Sequence, residues 1–179
     1  MVGGSVRAGE TEVVSLVDTE GVLGPYAELF PRVTEHDWAP WRERYPELFD
    51  GVTWELAQER RSRDFIQRAL LDLADRVETV AGEVELAPEV IACETPGPLA
   101  GHMSVCIGDE LLLLGDVGVH PAQLVHADWH YVSDADPKRA EQTRGQVLDA
   151  YGDWKLACGH FPAGGFGRLA DDGTWTPIT

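Results

Sequence analysis

Positive charge is scarce in this sequence. Its 179 residues carry 14 Lys and Arg against 31 Asp and Glu, for a formal net charge of −17 and a pI near 4.5. A surface this acidic repels phosphate backbones and anionic lipid, so nucleic acid and membrane are excluded as partners. Long apolar runs are missing too: no stretch approaches the length of a membrane span. The opening MVGGSVRAGETEVV has no apolar core of a secretory leader, which predicts a chain made without one. Cysteine is sparse. Cys93, Cys106 and Cys158 are scattered among apolar neighbours and read as small buried hydrophobes, not a disulfide framework. A reducing, cytoplasmic setting follows as the expectation. There is no internal repeat, low-complexity tract or clear linker. What is present is enough apolar material, 44% hydrophobic against 25% charged, for one domain with a real core, so residues 1–179 are read as a single domain.

The most informative stretch is residues 95–120, TPGPLAGHMSVCIGDELLLLGDVGVH. It reads as loop, strand, turn, strand, loop. Met103–Ile107 is a short apolar run, Gly108-Asp109 is a turn signal, and residues 111–114 are four consecutive leucines without polar alternation, as in a strand covered on both faces. His102 enters just before the first strand and Asp116 leaves just after the second. A rigid hairpin handing two polar groups to adjoining loops suits a functional site. A core hairpin with a surface His and a capping Asp accounts for the same residues.

Elsewhere, residues 11–17 predict a strand. Thr34 caps a short helix with Asp37 in its first turn; Pro40 lies near its start, and Pro46 disfavours helix at Tyr45. Trp38, Trp41, Tyr45, Leu48 and Phe49 then predict a segment packed over one face, a substrate lid being the alternative. Residues 53–77 hold the longest helical pattern, with Ile66, Ala69, Leu70, Leu73 and Val77 on one stripe. Arg60, Arg61 and Arg63 there stand beside Glu55, Glu59 and Asp64, which points to surface pairing more than to an anion site. Residues 82–92 predict one or two strands turning at Pro88-Glu89.

His126, Asp128 and His130 form an H-x-D-x-H string, but it follows no known ligand spacing and is set aside as a metal motif. Asp136-Pro137 starts a helix that runs to about Tyr151, with Ala140, Thr143, Val147, Leu148 and Tyr151 on one face. Residues 154–158 predict a last buried strand, and His160 stands just past its end. Three strand ends thus deliver His102, Asp116 and His160.

These pieces resemble the metallo-β-lactamase-fold hydrolases, the branch that includes lactonases and similar esterases. The matching segments are TPGPLAGHMS, LLLLGDVGVHPAQ, DWHYVSDADP and ACGHFPAGGFGRL, in the family's order. EVVSLVDTEGVLG and YPELFDG are similar to the start of such chains, and RDFIQRALLDLADRVE to their middle. The resemblance implies an α/β fold, a truncated αββα sandwich. It also implies that His102, Asp116 and His160 are metal ligands, Asp116 being the carboxylate that bridges two metals, with His120 near the site as a possible catalytic base beside Asp116.

The sequence departs from the family where the metal matters most. The motif H-x-H-x-D-H is missing: near residues 51–63 the chain passes from the family's beginning to its middle. Pro98 also stands where the family often has a histidine. Two histidines and a carboxylate can hold at most one ion, zinc by default, with non-haem iron or no metal as alternatives. The resemblance therefore implies hydrolysis of an ester or lactone on a small molecule as the default. A lyase or cyclase role, or a metal-free pseudoenzyme or binding module, are the alternatives. Losing strands from a layered sandwich exposes an edge and an apolar face, so a homodimer burying the truncated side is expected.

Overall fold

A computed structural model describes residues 2–16, 26–49, 78–161, 165–170 and 172–178. The helical pattern of residues 53–77 lies outside the described residues. The central sheet has seven strands: β3 (Val84–Ala87), β4 (Val90–Glu94), β5 (Met103–Ile107), β6 (Leu111–Leu113), β7 (Lys155–Ala157), β8 (Phe166–Leu169) and β9 (Trp175–Pro177), hydrogen-bonded in that order. A separate hairpin, β1 (Val2–Ala8) and β2 (Thr11–Leu16), precedes them. Helices α1 (Tyr26–Leu29), α2 (Glu35–Arg44) and α3 (Pro137–Tyr151) complete the described elements longer than a 3₁₀ turn. The molecule is α/β, as the sequence predicts.

The leucine run explains the layering. Side chains alternate across a strand, so Leu112 joins one apolar cluster while Leu111 and Leu113 join another. Leu111, Leu112 and Leu114 are at most 1% exposed, which is why the run shows no polar alternation. On the Leu112 side, α1, α2 and α3 contribute Leu29, Trp38, Trp41 and Val147. On the Leu111 side the β1–β2 hairpin supplies Ala8, Val6 and Val13. Polar contacts fix the hairpin in place: the Gly9 amide donates to Glu110 Oε1 at 2.6 Å, and Lys155 Nζ donates to the Arg7 carbonyl and to Glu110 Oε2, both at 2.7 Å. Strand β1 escapes the sequence reading because its Gly3-Gly4-Ser5 core carries almost no apolar signal.

Helix α2 starts as expected. The Asp37 amide donates to Thr34 Oγ1 at 3.3 Å, and the Thr34 amide donates to Asp37 Oδ2 at 2.9 Å, a reciprocal cap. It then runs longer than the sequence suggests. Pro40 sits inside the helix, not at its start, and burial of Trp38 and Trp41, 1% and 6% exposed, offsets the amide hydrogen bond that proline removes. Helix α3 begins at Pro137, capped by Asp136 Oδ1, which accepts from the Arg139 amide at 3.0 Å.

Sheet neighbours are antiparallel except β6 and β7, whose Leu112 and Leu156 are register partners in a parallel pair. The chain crosses between them through α3, as a parallel connection requires. Both strands consequently end on the same edge of the sheet. Asp116 follows β6 and His160 follows β7, so this pairing is what brings them together. No helix among the described residues is long and apolar enough to cross a membrane.

Candidate functional site

After β6 the chain makes a 3₁₀ turn, Gly115–Val117, that carries Asp116. Gly115 has φ +58, and a Cβ there would lie 2.6 Å from His102 Nε2. Only glycine lets this turn close against the imidazole. Gly115→Ala is expected to cost about 1–3 kcal/mol in denaturant melts, from left-handed strain and the displaced ring; a loss below about 0.5 kcal/mol would show that the ring is not held there.

His102 is fully engaged. Its Nε2 accepts from the Asp116 amide at 2.9 Å, so that nitrogen carries no proton. The proton is therefore on Nδ1, which meets Thr95 Oγ1 at 2.8 Å and the Thr95 carbonyl at 3.1 Å. Thr95 Oγ1 in turn lies 3.0 Å from Ser104 Oγ, which donates to the Leu114 carbonyl at 3.1 Å. Thr95 and Ser104 are at most 5% exposed. The sequence did not single out this hydroxyl relay, because threonine and serine beside a strand carry no distinctive spacing.

His160 Nε2 stands 3.2 Å from Asp116 Oδ1, with both side chains open to solvent. The hydrogen bond to His160 holds the Asp116 carboxyl below the usual carboxylate range, against the opposing effect of partial burial. All three residues expected at the site thus meet at one turn, His102 through the Asp116 backbone and His160 through its carboxylate.

That arrangement does not fit a metal on all three. The His102 lone pair that would face an ion faces an amide hydrogen instead, and its other nitrogen is tied to Thr95. Among the described residues no cluster of three or more His, Cys, Asp or Glu can hold an ion. Asp116 and His160 remain as two ligands, one short of the three that a catalytic zinc takes from its protein.

His120 is not placed to act as a base. Its ring is 1% exposed and sits among the rings of Tyr26, Trp38, Trp41 and Phe49, at centroid distances of 5.1–6.0 Å. The proline that follows turns the chain inward: His120 Nδ1 accepts from the Ala122 amide at 3.0 Å and caps the 3₁₀ turn Pro121–Leu124. The H-x-D-x-H residues also diverge. His126 stacks on Trp129, and His130 Nε2 is 2.9 Å from Glu141 Oε2.

Beside the pair lies an apolar cleft of about 370 Å³, walled by Val13, Met103, Val105, Leu113 and Phe166. Gly115 and Gly159, which immediately precede Asp116 and His160, line it as well. Cys158 also borders the cleft, but its Sγ donates to the Gly118 carbonyl at 3.0 Å and burial pushes the thiol up to about 12, so it is no nucleophile at neutral pH.

No family model and no curated protein sequence matches the chain. Solved structures do. The chain is similar to AidC, a dizinc quorum-quenching lactonase, at 19% identity and TM-score 0.56, over 65% of this chain and 42% of that one. It is similar to AbOPH, a hydrolase in the beta lactamase superfamily, at 20% identity and TM-score 0.56, over 82% and 54%. A probable metal-dependent hydrolase from Staphylococcus aureus matches at 14% identity and TM-score 0.50, over 60% and 42%. The chain therefore spans about half the length of the structures it matches. Its architecture is the metallo-β-lactamase fold, in truncated α/β form.

Proposed function

We propose that the chain acts on a small, mostly apolar ester or lactone in the cleft beside Asp116 and His160. The observation that carries this reading is the solvent-open Asp116–His160 pair, whose two residues directly follow Gly115 and Gly159 in the lining of an apolar cavity, the kind of concave apolar site with polar groups nearby that ligands favour. Asp116 orients the imidazole through Nε2. Nδ1 of His160 then takes a proton from water as the water oxygen bonds to the substrate carbonyl carbon. The ester C–O bond breaks, and the same proton passes to the departing alkoxide. Zinc, the family's ion, would find only Asp116 and His160 among the described residues, so no step is routed through a metal.

Hydrolysis of short-chain nitrophenyl esters and of five- and six-membered lactones, measured after chelation and again with zinc added, tests this. Asp116→Asn and His160→Ala are each expected to lower turnover by about a hundredfold or more, with chelation leaving the parent unchanged. Turnover lost on chelation and restored by zinc would replace the proposed mechanism with a metal-dependent one. Engagement of both His102 nitrogens favours a second reading, a binding module without chemistry; cleft binding with no turnover above background would select it.

The homodimer stands as a proposal too. It is supported by the edge strand β3, whose Leu86 is 55% exposed. Light scattering at micromolar concentration is expected to give twice the chain mass, and a monomeric mass overturns it.

A further inference from the structure

On the helical side of the sheet, away from Asp116, lies a second cleft of about 470 Å³ between α2 and the segment 126–129. Its walls are aromatic. The His126 and Trp129 rings stack at 4.6 Å and 12°, and Trp41 meets both edge-on, at 6.1 and 6.4 Å. One arginine, Arg44, stands in the lining beside His36 and His126. Arg44 makes no ion pair within 4 Å among the described residues and leans toward the Trp41 ring, 5.9 Å from its centroid. Asp172 senses its charge from a distance. The one carboxylate in the lining, Asp37, has its Oδ2 committed to the Thr34 amide and hydroxyl at 2.9 and 2.6 Å. Helix capping thus explains Asp37, and packing explains the buried Trp41. Neither explains why, among the described residues, Arg44 is left without a carboxylate partner within 4 Å beside this aromatic wall.

We propose that this cleft binds a planar aromatic carboxylate, its ring laid against Trp129 and His126 and its carboxylate taken by Arg44. Stacking and cation–π contact supply the apolar part of the affinity. Arg44 stands over Trp41, the ring that meets the stacked pair edge-on, and so offers its guanidinium fork to the ligand's carboxylate at the border of that pair. The cleft is separate from the Asp116–His160 pair and does not depend on any reading of that site.

Calorimetric titration of the whole chain with 2-naphthoate tests it, beside 2-naphthylmethanol, which keeps the ring without the charge, and acetate, which keeps the charge without the ring. Naphthoate is expected to bind at least about tenfold more tightly than either, the factor one charge-assisted hydrogen bond gives. Arg44→Ala is expected to remove that preference and leave the alcohol's affinity unchanged. Trp129→Ala is expected to weaken naphthoate and alcohol alike. Because Trp129 packs against the core, Arg44→Ala, at an exposed position, carries the decision if Trp129→Ala fails to fold. Equal affinity for naphthoate and the alcohol, unchanged naphthoate binding in Arg44→Ala, or no heat up to millimolar naphthoate each overturns the proposal.

Discussion

Lowering the pH from 6.5 to about 4 is expected to remove roughly 3 kcal/mol of folding stability through His120 alone. Burial pushes this imidazole down from 6.5 to about 3. Its Nδ1 accepts from the Ala122 amide, so the folded state holds the ring neutral with its proton on Nε2, and no polar partner meets Nε2 among the described residues. Above pH 6.5 both folded and unfolded chains keep the ring neutral, and the stability is fully present. Between 6.5 and about 3 the unfolded chain gains a proton that the folded one refuses, and about 1.4 kcal/mol is lost per pH unit. The carboxyls of Asp37, Asp116, Asp172 and Glu110, all held low by hydrogen bonds, begin to add their losses below about pH 5, where the unfolded chain's carboxylates protonate, so the slope between about pH 6.5 and 5 is the one to assign to His120. Urea melts at half-unit intervals from pH 7 to 4 measure the slope. His120→Asn keeps an acceptor for the Ala122 amide and removes the titration. That variant is expected to be less stable at pH 7 and to have a flatter slope. If its slope matches the parent's, the acid sensitivity belongs elsewhere.

The second large effect centres on Arg144, whose side chain is fully buried within the fold. Its Nε donates to the Val117 carbonyl at 2.7 Å, and Nη1 donates to the carbonyls of Ala127 and Trp129 at 2.5 and 3.4 Å. Nη2 stands 3.8 Å from Asp134 Oδ2, a carboxylate 2% exposed. Burial works against both charges, lowering the arginine and raising the aspartate. Deleting one partner is therefore far worse than never having built the pair. Arg144→Met is expected to cost about 3–5 kcal/mol, because it strands the Asp134 charge and the carbonyls of Val117 and Ala127, whereas the Trp129 carbonyl keeps Gln123 Nε2. Adding Asp134→Leu is expected to recover more than about 1 kcal/mol of that loss. Thermal and urea melts of the parent, both single variants and the double variant close the cycle. An Arg144→Met loss below about 1 kcal/mol would mean that water or a rearranged loop replaces the guanidinium. Val117 closes the turn that carries Asp116, so the same variant is expected to loosen the Asp116–His160 pair.

The candidate site was legible in the sequence because strand ends are. Apolar runs at Met103–Ile107 and 111–114 fix where the backbone is straight, and the first polar residue beyond each must emerge into a loop. These two runs bring out His102 and Asp116, and the run at 154–158 does the same for His160; that they act together is implied only by the family resemblance. Their partners are not brought out: no local pattern says that an amide proton will occupy His102 Nε2, since that depends on Gly115 turning the chain back on the ring. His120 shows the same limit from the other side. The resemblance places it near the site as a possible base, yet four aromatic rings from a distant segment enclose it. Arg144 lies on α3 outside the stripe of Ala140, Thr143, Val147, Leu148 and Tyr151, and its burial follows from the loop carbonyls it meets. The β1 strand, poor in apolar residues, could be recognised only from the sheet face it covers.

The parallel neighbours β6 and β7 set a timetable. Asp116 and His160 are 44 positions apart, with α3 between them. During synthesis, the hairpin of β5 and β6 can zip as soon as it leaves the ribosome, and α3 can wind locally. Bringing β7 to β6 closes a long loop, which is entropically slow. Asp116 therefore waits without its histidine until β7 and the turn after it have emerged, and whatever chemistry the pair performs cannot appear before β7 docks on β6.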